Sequence, residues 1–437
     1  MEMENFKNTY SDILNSKPYI LYSQGDLVEG INLFSNVLQK HPHDSNIWVE
    51  LGFAHLKNLD FEMSFMCFET AYKINPQNPN ATCALGLFYY ESNKFKLAKE
   101  FYKRTLEIDK KSEWAKLNLS ILEQTSGNYF KGLSLYEDRD KKRSLLLHEN
   151  YKENHLEEVT DLKKINKNNK ILIIGEQGFG DQLMICHYLS RLSLLDYRIT
   201  YLVNEKLFNF IKNIKGLKNI KIIKNVNEKN LNLFSYKIYS MSLPFLFYKS
   251  KIRRKPLKVE DINFGKVHKK YPTRILKLMD DKKLNVGIAW SGRCSQTRNS
   301  FRSVRLDFLK QILNNKKINF FVLQKISNIK DHEIINQIGN LHDLSDYLKD
   351  FTDTASFLSR MDFVISSCTS LVHLSAMLNK KTLLLLSKIH DPRWNEKNNG
   401  VLYKCVKKFK QKELNNWYHP VEEVKEFLKL KTNCKES

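Results

Sequence analysis

The sequence predicts a helical repeat array followed by two doubly wound α/β units. Small and aromatic residues recur over the first third of the chain with a period of about 34 residues. From Lys170 onward, short apolar runs alternate with helix-patterned segments, as parallel sheets joined by crossover helices require. That alternation comes in two series, separated by the basic, turn-rich stretch 251–283.

The repeat is clearest in WVELGFAHLKNLDFEMSFMCFETAYKINP, with Trp48, Leu51, Gly52, His55, Ser64, Phe68, Ala71 and Pro76. One period later come Leu85, Gly86, Tyr89, Ala98 and Tyr102, and one period earlier Gly30, Phe34 and Pro42. A weaker unit holds Leu119, Gly132 and Tyr136. Gly52, Ser64, Gly86 and Ala98 let paired helices approach closely, and Phe68 and Tyr102 fill the gaps between repeats. The charged stretch 146–168 reads as a linker. It divides repeats at 1–145 from α/β units at 169–265 and 280–432.

The 437 residues are 42% hydrophobic and 12% aromatic, enough to bury large cores and to exclude a disordered or fibrous chain. The net charge of +23 is uneven. Residues 1–150 hold 18 basic and 20 acidic side chains, leaving 53 and 28 for residues 151–437. Such a split points to units with different partners. An anionic partner for the second unit competes with a plain lysine-rich surface. The lysines are dispersed and no module for reading bases appears, so nucleic acid is not expected; peripheral contact with a membrane stays open. No apolar run reaches the roughly 18 residues of a membrane span. The polar, acidic start is unlike a signal peptide. Seven scattered cysteines without a C-x-x-C pair fit reduced thiols in the cytoplasm.

The distinctive polar groups all follow apolar strands, where open α/β sheets bind ligands. GEQGFGDQL follows the strand Ile171–Ile174. Gly175, Gly178 and Gly180 let a ligand approach the backbone, and the next helix N-terminus favours anions. Asp181 either caps that helix or faces the cleft as a general base. In WSGRCSQTRNSFRSVRL, Trp290 either stacks on a base or packs in the core. Ser291 and Gly292 offer backbone N–H groups, and Arg293, Arg298, Arg302 and Arg305 form a loop suited to a diphosphate. Gln324 and Lys325 end another strand with an amide and a cation. FVISSCTSLVHLSAML reads as strand, turn and helix start, with Thr369 and Ser370 as caps or phosphate ligands and His373 as a donor or a satisfied core histidine.

In this order, these elements resemble bacterial glycosyltransferases that join tetratricopeptide repeats to a GT-B catalytic region. These are similar to the heptosyltransferases of glycosyltransferase family 9 and to O-GlcNAc transferase-like proteins. The repeat resemblance covers about residues 11–145 and the transferase resemblance most of 165–425. It rests on GEQGFGDQL, GIAWSG with RSVRL, FVLQK, the long stretch from Leu348 to Leu386 with Asp353-Thr354-Ala355, and DPRW at Asp391–Trp394. The resemblance implies a metal-independent hexosyl- or heptosyltransferase with no cofactor beyond its nucleotide-sugar substrate. It implies a glycan, lipid or protein acceptor, and repeats that recruit the acceptor or a protein partner.

Carried over residue by residue, the resemblance makes Asp181 the catalytic base and Gly178 and Gly180 its acceptor-side loop. Donor binding falls to Trp290, Ser291, Gly292, Arg302, Gln324, Lys325, Asp353, Thr354, Cys368, Thr369, Ser370 and His373. One departure stands out: the related proteins often carry aspartate where this chain has Cys368. The alternative reading is a weak or inactive repeat scaffold that keeps a nucleotide-binding cleft.

Overall fold

The computed structural model describes residues 27–141, 156–252, 273–279, 282–292, 298–326, 328–395 and 403–436. Seven helices open the described chain: α1 Leu27–Lys40, α2 Ser45–Lys57, α3 Phe61–Ile74, α4 Pro79–Glu91, α5 Phe95–Ile108, α6 Glu113–Thr125 and α7 Tyr129–Tyr136. Side chains of Asp44, Asp60, Asn78 and Ser112 accept from the first free N–H groups of α2, α3, α4 and α6, which fixes where each begins. The helices pair antiparallel within repeats through small residues. A Cβ on Gly52 would sit 2.5 Å from the Phe68 ring, and one on Gly86 2.6 Å from Tyr102. Each aromatic therefore covers the glycine of its own repeat. Phe68 also packs on Ala81, Ala84 and Leu85 of the next, as the spacing predicts.

The first sheet holds β1 Glu157–Glu158, β2 Lys170–Ile174, β3 Arg198–Leu202, β4 Ile220–Ile223 and β5 Tyr236–Tyr239. Its order is β1-β5-β2-β3-β4, all parallel. The second holds β6 Leu284–Ala289, β7 Ile318–Val322, β8 Leu341–Asp343, β9 Phe363–Ser367, β10 Lys381–Leu386 and β11 Val406–Lys410. Its order is β11-β10-β9-β6-β7-β8, again all parallel. The expected architecture of a repeat array followed by two parallel α/β units is therefore observed. One detail differs: β1 lies within the stretch read as linker, so the first sheet begins at residue 157 rather than 169. The remainder of that stretch up to 155 lies outside the described residues.

The helices that shape the site are α8 Phe179–Leu192, α9 Glu205–Lys212, α10 Asn299–Arg302, α11 Leu306–Leu313, α12 Phe351–Ser359, α13 Ser370–Met377 and α14 Tyr418–Glu436. One apolar cluster runs through both α/β units, joining Ile173, Leu183 and Leu189 to Phe357, Leu371 and Val372. α8 packs directly on α13. The repeats dock on both units: Phe301 meets Phe61 with ring centroids 5.9 Å apart, and Phe130 stacks on Phe245 at 5.6 Å. No helix of the described residues is long and apolar enough to cross a membrane.

Candidate functional site

In the second sheet the chain starts centrally at β6, winds to the β8 edge and returns beside β6 with β9; the first sheet does the same from β2 to β4 and back to β5, with the short β1 added at its far edge. The switch points lie between β2 and β5 and between β6 and β9. Crevices beyond the carboxyl ends of strands at such points are where open α/β sheets hold ligands. The loops after β2, β6, β9 and β10 meet here.

The turn after β2 is built by its glycines for packing. A Cβ on Gly175 would lie 2.8 Å from the Leu202 carbonyl oxygen, and one on Gly180 3.0 Å from the His373 ring and 3.4 Å from Ser370 Cα. Gly180 thus seats α13 against α8. Gln177 takes a left-handed conformation (φ 60°), uncommon for a residue with a side chain. Glu176, fully buried, turns inward and accepts from Arg139 Nε at 3.1 Å, from Arg139 Nη2, and from the Met241 amide at 2.8 Å. Asp181 does what its spacing allows on both counts. Its Oδ2 accepts the Gly178 amide at 2.9 Å, the cap reading, while Oδ1 meets Arg393 at 2.7 Å across the junction of the two units.

The loop after β6 corrects several expectations. Trp290 is 2% exposed, donates its indole N–H to Asp331 at 2.7 Å and packs in the second core. It therefore realises the core reading and offers no open face to a base. Gln324 Oε1 accepts the Trp290 and Ser291 amides at 2.7 and 3.1 Å, and its Nε2 donates to Ser291 Oγ at 3.2 Å. It clamps the strand end instead of presenting a free amide. Lys325 donates to the Ser345 carbonyl at 2.5 Å. The Gly292 amide donates to Asn299 at 3.0 Å, and Gly292 leaves room for the Arg302 guanidinium. The three described arginines of this loop go separate ways. Arg298 binds Glu91 of the repeats, exposed Arg305 pairs with Asp307, Arg302 faces the site, and Arg293 lies outside the described residues.

Asp353 and Thr354 belong to a helix start. Asp350 caps α12, and Asp353 Oδ2 accepts the Lys349 and Asp350 amides at 3.0 and 3.2 Å. Thr354 donates to the Asp350 carbonyl at 3.4 Å. This start bridges the units, because Asn209 on α9 donates to Asp350 at 3.0 Å.

The turn after β9 carries the densest chemistry. Thr369 caps α13 by accepting the Leu371 amide at 3.3 Å and lies 3.1 Å from Ser366 Oγ. Cys368, Thr369 and Ser370 are each half-buried, so this helix start is open to the crevice. The Trp394 indole N–H donates to Cys368 Sγ at 3.1 Å. Burial, then Asp391, raises the Cys368 thiol above its ordinary value, so it stays protonated and substitutes for no carboxylate.

Arg393 comes from the turn after β10. It pairs with Asp391 at 2.9 Å as well as with Asp181. Burial opposes its charge, but the two carboxylates outweigh that and hold it well above its ordinary value. Burial lowers Arg302, against the pull of Cys368, Asp181 and Asp391, which it faces.

His373 is 3% exposed, with Nδ1 3.0 Å from the Tyr403 hydroxyl and its ring 5.4 Å from that of Trp394. Burial, then Arg393, pushes it down to about 3. It is a neutral, satisfied histidine against Gly180, the second of the two readings. Below the ordinary histidine value of about 6.5, the unfolded chain binds a proton that the folded chain does not, so stability falls with pH. The loss is about 2 kcal/mol between pH 6.5 and 5. Urea unfolding at pH 7 and 5 should show this loss, and His373→Gln should flatten it.

Three residues of this centre carry little sequence signal of their own: Arg139 and Glu91 from the repeats and Arg393, visible only within DPRW. Among the described residues, no group of three or more His, Cys, Asp and Glu side chains is placed to hold a metal.

Known proteins relate to the chain in two ways. A Tetratricopeptide repeat family model matches residues 80–112. Anaphase-promoting complex subunit 3 of Schizosaccharomyces pombe is 28% identical over 108 residues, 25% of this chain and 15% of that protein. A Protein O-mannosyl-transferase of Caenorhabditis elegans is 29% identical over 94 residues, 22% of this chain and 14% of that protein. The chain thus spans a small part of either relative. Among solved structures it is similar to E. coli heptosyltransferase WaaC with ADP, at 12% identity and a TM-score of 0.42, over 60% of this chain and 99% of that one. It is also similar to the O-GlcNAc transferase of Thermobaculum terrenum, at 11% identity and a TM-score of 0.34, over 99% of this chain and 94% of that one.

Proposed function

We propose that the chain is a glycosyltransferase that holds the diphosphate of a nucleotide-sugar between its two α/β units and passes the sugar to an acceptor hydroxyl. The observation that carries this reading is the meeting of the open start of α13, Arg302 and Arg393 with Asp181 at the paired switch points. The positive end of a helix and two guanidiniums suit a diphosphate. In this reading Arg393 exchanges Asp181 for the incoming diphosphate. The freed carboxylate then accepts the proton of the acceptor hydroxyl as its oxygen attacks the anomeric carbon. The carbon–oxygen bond to the diphosphate breaks, and the arginines and α13 amides take up the leaving charge. Positive side chains supply that charge compensation, so the reaction proceeds without a metal.

A second reading, a scaffold that binds nucleotide without turnover, is favoured by one observation: both Asp181 oxygens are engaged. Incubating the chain with UDP-, GDP- and ADP-sugars, with and without EDTA, separates the two. Release of the nucleoside diphosphate, unaffected by EDTA, is expected. Binding without release from any donor identifies the scaffold, and neither binding nor release removes the reading altogether.

A further inference from the structure

The repeat array touches both loops that supply the site's arginines, and one ion pair takes part in both contacts. Glu91 closes α4, with its side chain 1% exposed. Arg298 reaches it twice, as an ion pair with Nε 2.7 Å from Oε1 and as a hydrogen bond from Nη2 to Oε2 at 3.0 Å. The same Nη2 donates to the Ile389 carbonyl at 3.1 Å, and the guanidinium lies 5.6 Å from the centre of the Tyr90 ring. One side chain thus fastens the repeats to the loop after β6 and to the loop after β10.

Both loops then run straight to the crevice. Arg298 is the residue that enters α10, and Arg302 ends it one helical turn later. Arg393 follows Ile389 by four residues, and Ile389 is itself buried among Tyr90 and Leu119 of the repeats. Phe301, between the two arginines of α10, is buried in the repeat core. The turn that aims Arg302 is therefore held from the repeat side by charge and by an aromatic anchor.

We propose that the repeat array is a wall of the donor site, in which Glu91 is a positioning residue that sets the aim of Arg302 through Arg298. This rests on the reading of the crevice as a diphosphate site. It gives the repeats a task beside partner recruitment. Contacts made on the array's outer surface would be felt at the sugar-nucleotide through this pair.

The test uses the full chain. Glu91→Gln keeps the size of the side chain and removes its charge. Calorimetry with whichever of UDP, ADP and GDP the parent binds should show affinity reduced on the order of tenfold. Binding of the corresponding nucleoside, followed by saturation-transfer NMR, should change less than twofold, because only the phosphate contact is re-aimed. Hydrogen exchange should rise in residues 298–304 and 389–394 and stay unchanged in β2 and β3. The exchanged pair, Glu91→Arg with Arg298→Glu, should recover diphosphate binding. An unchanged diphosphate affinity, equal loss of diphosphate and nucleoside, or unchanged exchange in the two loops would each overturn the proposal. If Glu91→Gln does not fold, the exchanged pair decides alone: a folded protein that still fails to bind counts against it. If the parent binds no diphosphate, the reading of the crevice fails, while the exchange measurement still decides whether Glu91 holds the loops.

Discussion

Replacing Arg139 with methionine is expected to lower the stability of the α/β body by about 3–5 kcal/mol, the largest effect on folding of any single change at this site. Arg139 follows α7 and is 3% exposed; Glu176, its partner on the turn after β2, is wholly buried. Arg139 also donates to Ser242 at 3.1 Å and to the Tyr136 carbonyl at 3.1 Å, and lies 4.7 Å from the centre of the Tyr136 ring. Methionine keeps much of the apolar stem but leaves a buried carboxylate without its guanidinium, although the Met241 amide still donates to it. Urea unfolding followed by tryptophan fluorescence measures the loss. The double variant Arg139→Met with Glu176→Gln should regain a large share of it, because the stranded charge is gone. A single-variant loss below about 1 kcal/mol, the range of an exposed pair, would contradict the account.

Asp181→Asn is expected to slow sugar transfer by about 10²–10⁴-fold, the range for removing a positioned general base. Asparagine still accepts the Gly178 amide, so the start of α8 is kept. The amide no longer attracts Arg393 as a carboxylate does, which frees that guanidinium for the diphosphate. Nucleoside diphosphate affinity should therefore hold or rise while turnover collapses. Steady-state rates with the productive donor, alongside calorimetry, check both halves. A variant within tenfold of the parent rate removes Asp181 from the chemistry and leaves it as a cap.

Most of the fold was legible in the sequence because its signals are local. The repeats show through glycine and aromatic residues that pack on each other within one period, as Gly52 with Phe68 and Gly86 with Tyr102 do. The central strands show as unbroken apolar runs because both faces are covered, as in Ile171–Ile174. Two edge strands escaped for the converse reason. Val406–Lys410 is three-fifths lysine, with its lysines partly or fully exposed on the sheet edge, and Glu157–Glu158 is two residues long.

The site was legible only in part. The glycine turn, Asp181 and the Thr369 helix start were found because each follows an apolar strand. Their partners were not, because pairing joins distant residues: Arg298 and Glu91 are 207 positions apart, and Arg139 and Glu176 are 37. Nothing in one sequence says which arginine of a basic loop meets a carboxylate in another domain. Trp290 and His373 carry the same lesson. Both residue types suit ligand contact and core packing equally, and burial decided for the core.

The claim that the crevice holds a diphosphate is tested most directly by titrating the full chain with UDP, ADP and GDP in a calorimeter, beside Arg302→Ala and Arg393→Ala. The account predicts that the parent binds at least one of the three, and that each substitution weakens that binding by about tenfold or more, the worth of a charge-assisted contact to phosphate. Failure of the parent to bind any of them, or equal affinity in all three proteins, would contradict it.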